Sequence, residues 1–300
     1  MHMKTKILIT GGTGLVGWHL SEKLEELGYQ VLHLSRTENL EARFPAYQWD
    51  IDHGQIDPRA LEADHIIHLA GENVAGGRWT ASRKQRIYDS RIKSTRLLAD
   101  YINDGQTKAK SFVSASAIGI YGNHDDGAWV TEATSPAEDF LATVVRDWEA
   151  EADEIKNIPV GKVRIGVVLS EKDGALPKIM TPVKLGVGAP LGEGRQYMSW
   201  IHIDDLIRIF VHVLHHELAG AFNATAPSPE TNEVFTRLLA EILKKPLWLP
   251  NVPSIAMKAL LGEMSQVVLG GARVSSRKLE GTGFVFHYPE LKPAIKNLLS

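Results

Sequence analysis

The sequence predicts an α/β protein: a Rossmann doubly wound parallel sheet with a smaller C-terminal substrate or cap domain. Three observations predict it. Short β-branched runs alternate with helical periodicity up to Leu169, the pattern of strand–helix–strand units. A turn with four glycines, Gly11–Gly17, joins the first run to the first helix. After Leu169 the alternation breaks down into Gly- and Pro-rich chain.

In chain order, KILIT (Lys6–Thr10) reads as a short buried strand. Val16, Leu20, Leu24 and Leu27 follow at helical spacing, and Gly28 stops that helix. QVLHL (Gln30–Leu34) is a second strand, Tyr47–Ile51 a weaker third, and DHIIHLA (Asp64–Ala70) a fourth. A long polar helix runs from Thr80 to Asn103 on the spacing of Ile87, Ile92, Leu97 and Leu98. KSFVS (Lys110–Ser114) gives a fifth strand, Phe140–Ile155 a helix, and GKVRIGVVL (Gly161–Leu169) a sixth strand. Ser170–Gln196 has no clean period. Ile201–Leu214 is helix-like, Gly220–Thr225 a further strand, and the rest is helical with breaks at Pro246, Pro250 and Pro253. The expected division is a nucleotide domain over 1–170, completed by about 200–225, and a cap built from 171–199 and 226–300.

The bulk composition narrows the partners. The chain has 300 residues, 44% hydrophobic and 23% charged, with a net charge of −3. That is ordinary globular composition, and it indicates neither nucleic acid nor an anionic membrane as partner. There is no cysteine, which removes disulfides, thiolate metal sites and cysteine nucleophiles. No secretory signal and no membrane-spanning stretch is legible, so the expected compartment is the cytoplasm.

The order strand, glycines, helix is the strongest functional signal. Thr10-Gly11-x-x-Gly14-x-x-Gly17 fits the dinucleotide turn. Gly11 permits the tight turn, Gly14 lets a pyrophosphate approach, and Gly17 lets the helix pack on the strand. Gly12, Thr13, Leu15 and Val16 complete the loop and the first helical turn, whose N–H groups face phosphate. An acid ending the second strand would hold the ribose 2′-hydroxyl of NAD. Ser35-Arg36 stands there instead, and an arginine pairs with a 2′-phosphate. The expected cofactor is therefore NADP(H). Asp50, after the third strand, is placed to accept a hydrogen bond from the adenine amine.

TGGTGLVG (Thr10–Gly17), HLAGEN (His68–Asn73), SASAIGIYG (Ser114–Gly122) and WIHIDD (Trp200–Asp205) together resemble the extended short-chain dehydrogenase/reductases, the NAD(P)-dependent epimerase/dehydratase family. GENVAGGRWT (Gly71–Thr80), SRIKST (Ser90–Thr95), RDWEAEA (Arg146–Ala152) and LGEMSQVVLGGARVSSRKLEGTGFVF (Leu261–Phe286) are similar to one atypical branch of it, with its own C-terminal domain. The resemblance covers nearly the whole chain. It implies a Rossmann fold and NADP(H), with Leu69, Ala70, Gly71 and Ser114 beside the cofactor. The family often dimerises through two helices that here are Thr80–Asn103 and Phe140–Ile155, so a homodimer is compatible with it.

That family works with a Tyr-x-x-x-Lys pair on the helix after the fifth strand and a serine at the strand's end. The helix here, FLATVVRDWEAEA, has neither Tyr nor Lys. Tyr288–Lys292 has the spacing but lies in the C-terminal segment and is a chance match. Three residues remain as catalytic candidates. Ser116 matches the family's serine by order, or caps a turn. Tyr121 donates a phenol proton, or shapes the pocket. His202 carries a proton, or bonds to the acids that follow it. Glu149 carries a proton only if buried, and is otherwise an exposed helical residue. Substrate-pocket candidates are Glu72 and Asn73 after the fourth strand, Arg78 as an anion clamp, Arg91 on the long helix, Trp148 near the vacated dyad, and Trp200 as a stacking face. The histidines His212, His215 and His216 lack further ligands for a metal, so no metal is expected.

Two functions follow. One is an NADP(H)-dependent oxidoreductase or epimerase-like enzyme acting on a small carbonyl, alcohol or sugar-nucleotide-like compound, with a proton carrier other than the usual tyrosine. The other is a non-catalytic NADP(H)-binding redox sensor or partner-binding protein.

Overall fold

Residues 4–124 and 126–300 are described in the computed structural model. The chain opens with β1 (Lys6–Thr10), α1 (Leu15–Glu26) and β2 (Gln30–Ser35). Next come β3 (Ala46–Asp50), β4 (Gln55–Ile56), β5 (His65–His68) and α2 (Ala81–Asn103). They are followed by β6 (Ser111–Ala117), β7 (Trp129–Val130), α3 (Phe140–Asp153), β8 (Val160–Ile165) and β9 (Val167–Leu169). The next stretch holds α4 (Leu176–Lys184), β10 (Tyr197–Met198), β11 (Trp200–His202), α5 (Ile203–His215) and β12 (Gly220–Ala224). The chain then adds β13 (Glu230–Thr231), α6 (Asn232–Ile242), α7 (Ser254–Leu261), α8 (Gln266–Leu269), β14 (Arg273–Val274), α9 (Arg277–Glu280) and α10 (Leu291–Leu298).

Eight strands form one sheet in the order β12-β8-β6-β5-β1-β2-β3-β4. Every neighbouring pair is parallel except β3–β4. A parallel sheet must be covered on both faces, because its crossovers lay helices on each. Here α1 and α5 cover one face: Leu20 and Leu24 meet Leu206, Ile209, Phe210 and Val213 in one core with Ile7 and Ile9. On the other face α2 and α3 bring Leu97, Leu98, Ile102 and Ala152 against Leu8, Ile66 and Phe112. Each fully buried side chain of this kind contributes about 1.5–3 kcal/mol. The strand order reverses direction between β1 and β5, and ligands of such sheets sit outside that point.

The helix starts differ in a way that matters for the site. Thr80 caps α2 by accepting from the Arg83 N–H at 3.2 Å. Asp139 caps α3 by accepting from the Ala142 N–H at 3.0 Å. The start of α1 is Gly14, with no side-chain cap.

Three expectations need correction. The sixth strand is two strands broken at Gly166, where a Cβ would meet the Ser199 carbonyl oxygen at 2.3 Å. Beyond the break, β9 leaves the main sheet and pairs with β11. Ile201–Leu214 therefore begins as strand before turning helical at Ile203. Within Ser170–Gln196, α4 forms despite Pro182 inside it, with Leu176, Met180 and Val183 buried. The Gly220–Thr225 strand lies at the edge of the main sheet, on β8.

Candidate functional site

The glycine turn is shaped by contacts that only glycine satisfies. At Gly11 φ is +69°, and a Cβ would lie 3.0 Å from the Leu69 carbonyl and the Ala70 nitrogen. At Gly17 a Cβ would strike the Gly11 oxygen at 2.3 Å. At Gly12 it would enter the His33 ring at 2.4 Å, so packing also requires a glycine there. Gly14 differs. Its φ is −75°, and a Cβ there would approach nothing closer than the Gly11 oxygen at 3.4 Å. The protein does not need a glycine at this position for its own packing. The space in front of Gly14, Thr13 and the uncapped N–H groups of Leu15 and Val16 fits a pyrophosphate. Across it, Leu15 touches the loop after β9, whose Gly174 would bring a Cβ within 3.6 Å of the Leu15 side chain.

At the end of β2, Ser35 is half-buried and Arg36 exposed. No acid pairs with the Arg36 guanidinium among the described residues; only its carbonyl is engaged, accepting from Gln48 at 3.2 Å. Asp50 is committed elsewhere. Its carboxylate accepts from the N–H groups of Asp52 and His53 and pairs with the His53 ring at 2.7 Å. These contacts fasten the β3–β4 turn.

Thr10 lies under the turn, fully buried. Its hydroxyl accepts from the N–H groups of Leu69 and Ala70 at 3.1 Å each. With both acceptances made, it donates to His68 Nδ1 at 2.7 Å. His68 is then the Nε2–H tautomer, donating to Ser94 at 3.2 Å, and Ser94 donates to the Ser90 carbonyl at 2.7 Å. Burial, reinforced by the nearby Arg91 charge, pushes the His68 pKa down to about 3, so the ring stays neutral. Thr10 is thus a strap tying the end of β1 to the end of β5, not a direct contact. The β5 end it holds, half-buried Leu69 and Ala70 and exposed Gly71, borders the crevice.

The catalytic candidates Ser116, Tyr121 and His202 are all buried. Ser116 is buried and donates to Glu149 Oε1 at 2.5 Å. Both Glu149 oxygens are gripped by Arg164, at 2.8 and 2.7 Å. Arg164 also donates to the Tyr121 hydroxyl at 2.8 Å, and Tyr121 donates to the Asn223 side chain at 2.6 Å. Asn223 closes the cluster by donating to the Ser275 carbonyl at 3.0 Å. Ser116, Arg164 and Asn223 are register partners on β6, β8 and β12, so they share one sheet face. Burial alone would raise the Glu149 carboxyl; the Arg164 bonds and charge, with the Ser116 hydroxyl, reverse this and hold it low. Burial raises the Tyr121 phenol. Glu149 is therefore buried and ionised, not exposed, and Ser116 and Tyr121 are members of a structural network.

Ser114 is buried on the same face and donates to the Ala115 carbonyl. His202 is buried as well. Its Nδ1 accepts from the Asp204 N–H as the cap of α5, its Nε2 bonds to Asn297, and its ring stacks on Tyr288 at 3.9 Å. Both nitrogens are occupied, so it carries no proton to a ligand. Lys292 meanwhile pairs with Glu241. Trp200 is wholly buried and donates to the Ser228 carbonyl, which leaves no face for stacking. By alternation along β6, the residue after Ser116 on the opposite face is Ala117, which has no hydroxyl. Against the turn that follows lie two helix residues four apart, Leu141 and Val145.

Beyond β5, the loop from Gly71 to Trp79 rests on α2. Arg83 donates to the Asn73 carbonyl and pairs with Glu72 at 3.5 Å, while Arg91 donates to the Glu72 carbonyl at 3.1 Å. Trp79 anchors the loop's far end among Ile87, Phe140 and Met264. Exposed Arg78 borders the C-terminal segment, 3.4 Å from where a Gly262 Cβ would be. Trp148 is buried with Arg91 stacked on its ring. The one strong feature that sequence reading missed is Arg164. Its signal was a charge inside the apolar run GKVRIGVVL.

Comparison with known proteins gives a consistent picture. The NAD dependent epimerase/dehydratase family matches residues 7–225, and a domain of unknown function, DUF1731, matches 252–298. The chain is 35% identical to the epimerase family protein YfhF of Bacillus subtilis, over 98% of each chain. It is 34% identical to the chloroplastic SDR39U1 homolog of Arabidopsis thaliana, over 98% of this chain and 86% of that one. Among solved structures it is similar to human epimerase family protein SDR39U1 with NADPH: TM-score 0.88, 31% identity, 98% of this chain and 99% of that one. A nucleoside-diphosphate sugar epimerase from Corynebacterium glutamicum matches with TM-score 0.80 and 30% identity, over 99% of this chain and 58% of that one.

Proposed function

The chain belongs to the NAD dependent epimerase/dehydratase family, and from that premise we propose that it binds NADP(H) across the β1–β5 crevice and carries out hydride transfer with a small carbonyl or alcohol compound. When bound, the cofactor supplies or accepts the hydride. The chain's own residues hold and orient it. The turn at Gly11–Gly14 and the uncapped start of α1 receive the pyrophosphate. Thr10, through Leu69, Ala70 and His68, keeps the β5 edge in register with that turn.

The observation that carries the NADP(H) reading is Arg36, a guanidinium at the end of β2 with no acid beside it among the described residues. NADPH in the structure of the human relative supports the same choice. The test is titration of NADPH and NADH against wild type and Arg36→Asp. Wild type is expected to prefer NADPH by about 10- to 100-fold, the worth of charge-assisted hydrogen bonds, and the variant to lose that preference. Equal affinity of the wild type for both cofactors refutes it.

The closed Ser116–Glu149–Arg164–Tyr121 network favours a second reading, an NADP(H)-binding redox sensor or partner-binding protein without turnover. A screen of carbonyl compounds with the NADPH-loaded protein separates the two. Oxidation of NADPH by any of them supports hydride transfer. No oxidation, with a partner captured only by the NADPH-loaded form, supports the sensor.

A further inference from the structure

Arg91 is a cation without an anion. Among the described residues its hydrogen bonds come from Nη1 alone, to the carbonyl oxygens of Ile87 at 3.0 Å and Glu72 at 3.1 Å. Both partners are neutral. The carboxylate whose charge acts on it, Glu72, pairs with Arg83 instead. Arg91 is half-buried, whereas the two buried lysine and arginine side chains each have an acid: Arg164 has Glu149 at 2.7 Å, and Lys162 has Asp153 at 2.6 Å. An enclosed charge without a counter-charge is costly, so its retention calls for an occupant.

The surroundings say what kind. A Cβ on Gly71 would lie 3.0 Å from Arg91 Cζ and 3.1 Å from Nη2. The guanidinium therefore lies directly beneath an exposed glycine at the carboxyl edge of β5. Its other neighbour is Trp148, with Cζ 5.2 Å from the ring centre. Trp148 is only 4% exposed, and its indole N–H has no partner among the described residues. Two adjacent side chains thus offer unused donors, and neither offers an acceptor.

Resting on the hydride-transfer reading, we propose that Arg91 and Trp148 form a seat for an oxyanion, carboxylate or phosphate, that a ligand brings to the β5 edge. If the substrate brings it, the substrate is an organic acid or a phosphate ester. If the cofactor brings it, the group is the pyrophosphate.

The experiment follows the indole ¹⁵N–H signal of Trp148, identified by its loss in Trp148→Phe. Malonate and inorganic phosphate are titrated into NADPH-saturated protein, after NADPH alone. A shift on malonate or phosphate that weakens about 10- to 100-fold in Arg91→Gln assigns the oxyanion to the substrate. A shift on NADPH alone, with NADPH affinity lowered by a similar factor in Arg91→Gln, assigns it to the cofactor. The inference is overturned if none of the three moves the signal and both variants bind NADPH like wild type. Trp148→Phe keeps the ring packing, so its melting temperature reports whether loss of binding is loss of fold. A wild type that does not bind NADPH, yet shifts when malonate is added to the cofactor-free protein, would sink the cofactor reading and leave the seat standing.

Discussion

Glu149 shows how one side chain redirects the reading of a site. A charged residue on a helix is ordinarily exposed, yet Glu149 falls on the same stripe as Val145 and Ala152, and Arg164 and Ser116 hold both its oxygens in the interior. Removing one partner of such a pair strands the other, which costs about 3–5 kcal/mol. Glu149→Gln is expected to lose that much in urea denaturation, while Glu149→Leu with Arg164→Met recovers a large part. Because its carboxyl is held low, this contribution is complete above the ordinary carboxylate pKa and is lost as pH falls through the depressed one. His68 acts in a different window. Burial lowers it from 6.5 to about 3 in the fold, so below pH 6.5 the unfolded chain takes up a proton that the native ring refuses. Stability therefore declines by about 1.4 kcal/mol per pH unit from this group between those values. His33, lowered to about 4 by burial, adds a similar slope over a narrower range. Denaturation measured from pH 7 to 4 is expected to be flatter for His68→Asn than for wild type; an unchanged slope would mean that the ring is not held neutral.

At the scale of elements, two glycines of one turn do separate jobs. Gly17→Ala drives a methyl into the Gly11 carbonyl and pushes α1 off β1. It is expected to lower both the melting temperature and NADPH affinity. Gly14→Ala meets no such obstacle, so it leaves the melting temperature within a degree or so while weakening NADPH, because the methyl takes the ligand's space. Calorimetry on the two variants checks both halves. The long periodic elements were legible in sequence: β1, α1, β5, α2 and α3 start or end within a few residues of expectation. The two-residue strands β4, β7, β10, β13 and β14 were not, since two residues carry no period. The turn's role was legible too, because glycine states a backbone requirement locally. The residue types of Ser116, Tyr121, His202 and Trp200 do not by themselves decide between contact with a ligand and internal packing, for the opposite reason. Whether a hydroxyl or an imidazole faces a crevice or a core depends on residues far away in sequence, here Glu149, Asn223, Asn297 and Ser228.

Over the whole molecule, the C-terminal segment is bound to the sheet domain by buried polar contacts as well as by packing. Asp205, at the start of α5 and fully buried, accepts from the N–H groups of His287 and Tyr288 and pairs with Arg208. Ser199 bridges to Ala272 and Val274 in the same way. Asp205→Ala is expected to cost about 3–5 kcal/mol and to raise amide hydrogen exchange first around residues 284–291. Uniform exchange along the chain would show that the segment is not held there. The main sheet also has an order of assembly written into it. Its outermost strand, β12, is translated only after β9, α4, β11 and α5, so β8 emerges from the ribosome with one edge bare. At ordinary synthesis rates that edge waits on the order of seconds for its neighbour, and an unpaired strand edge invites other chains. Arg164 and Lys162 lie on that same strand, and their partners Glu149 and Asp153 sit on α3, translated just before it, so β8 can dock with its charges matched while it waits for β12.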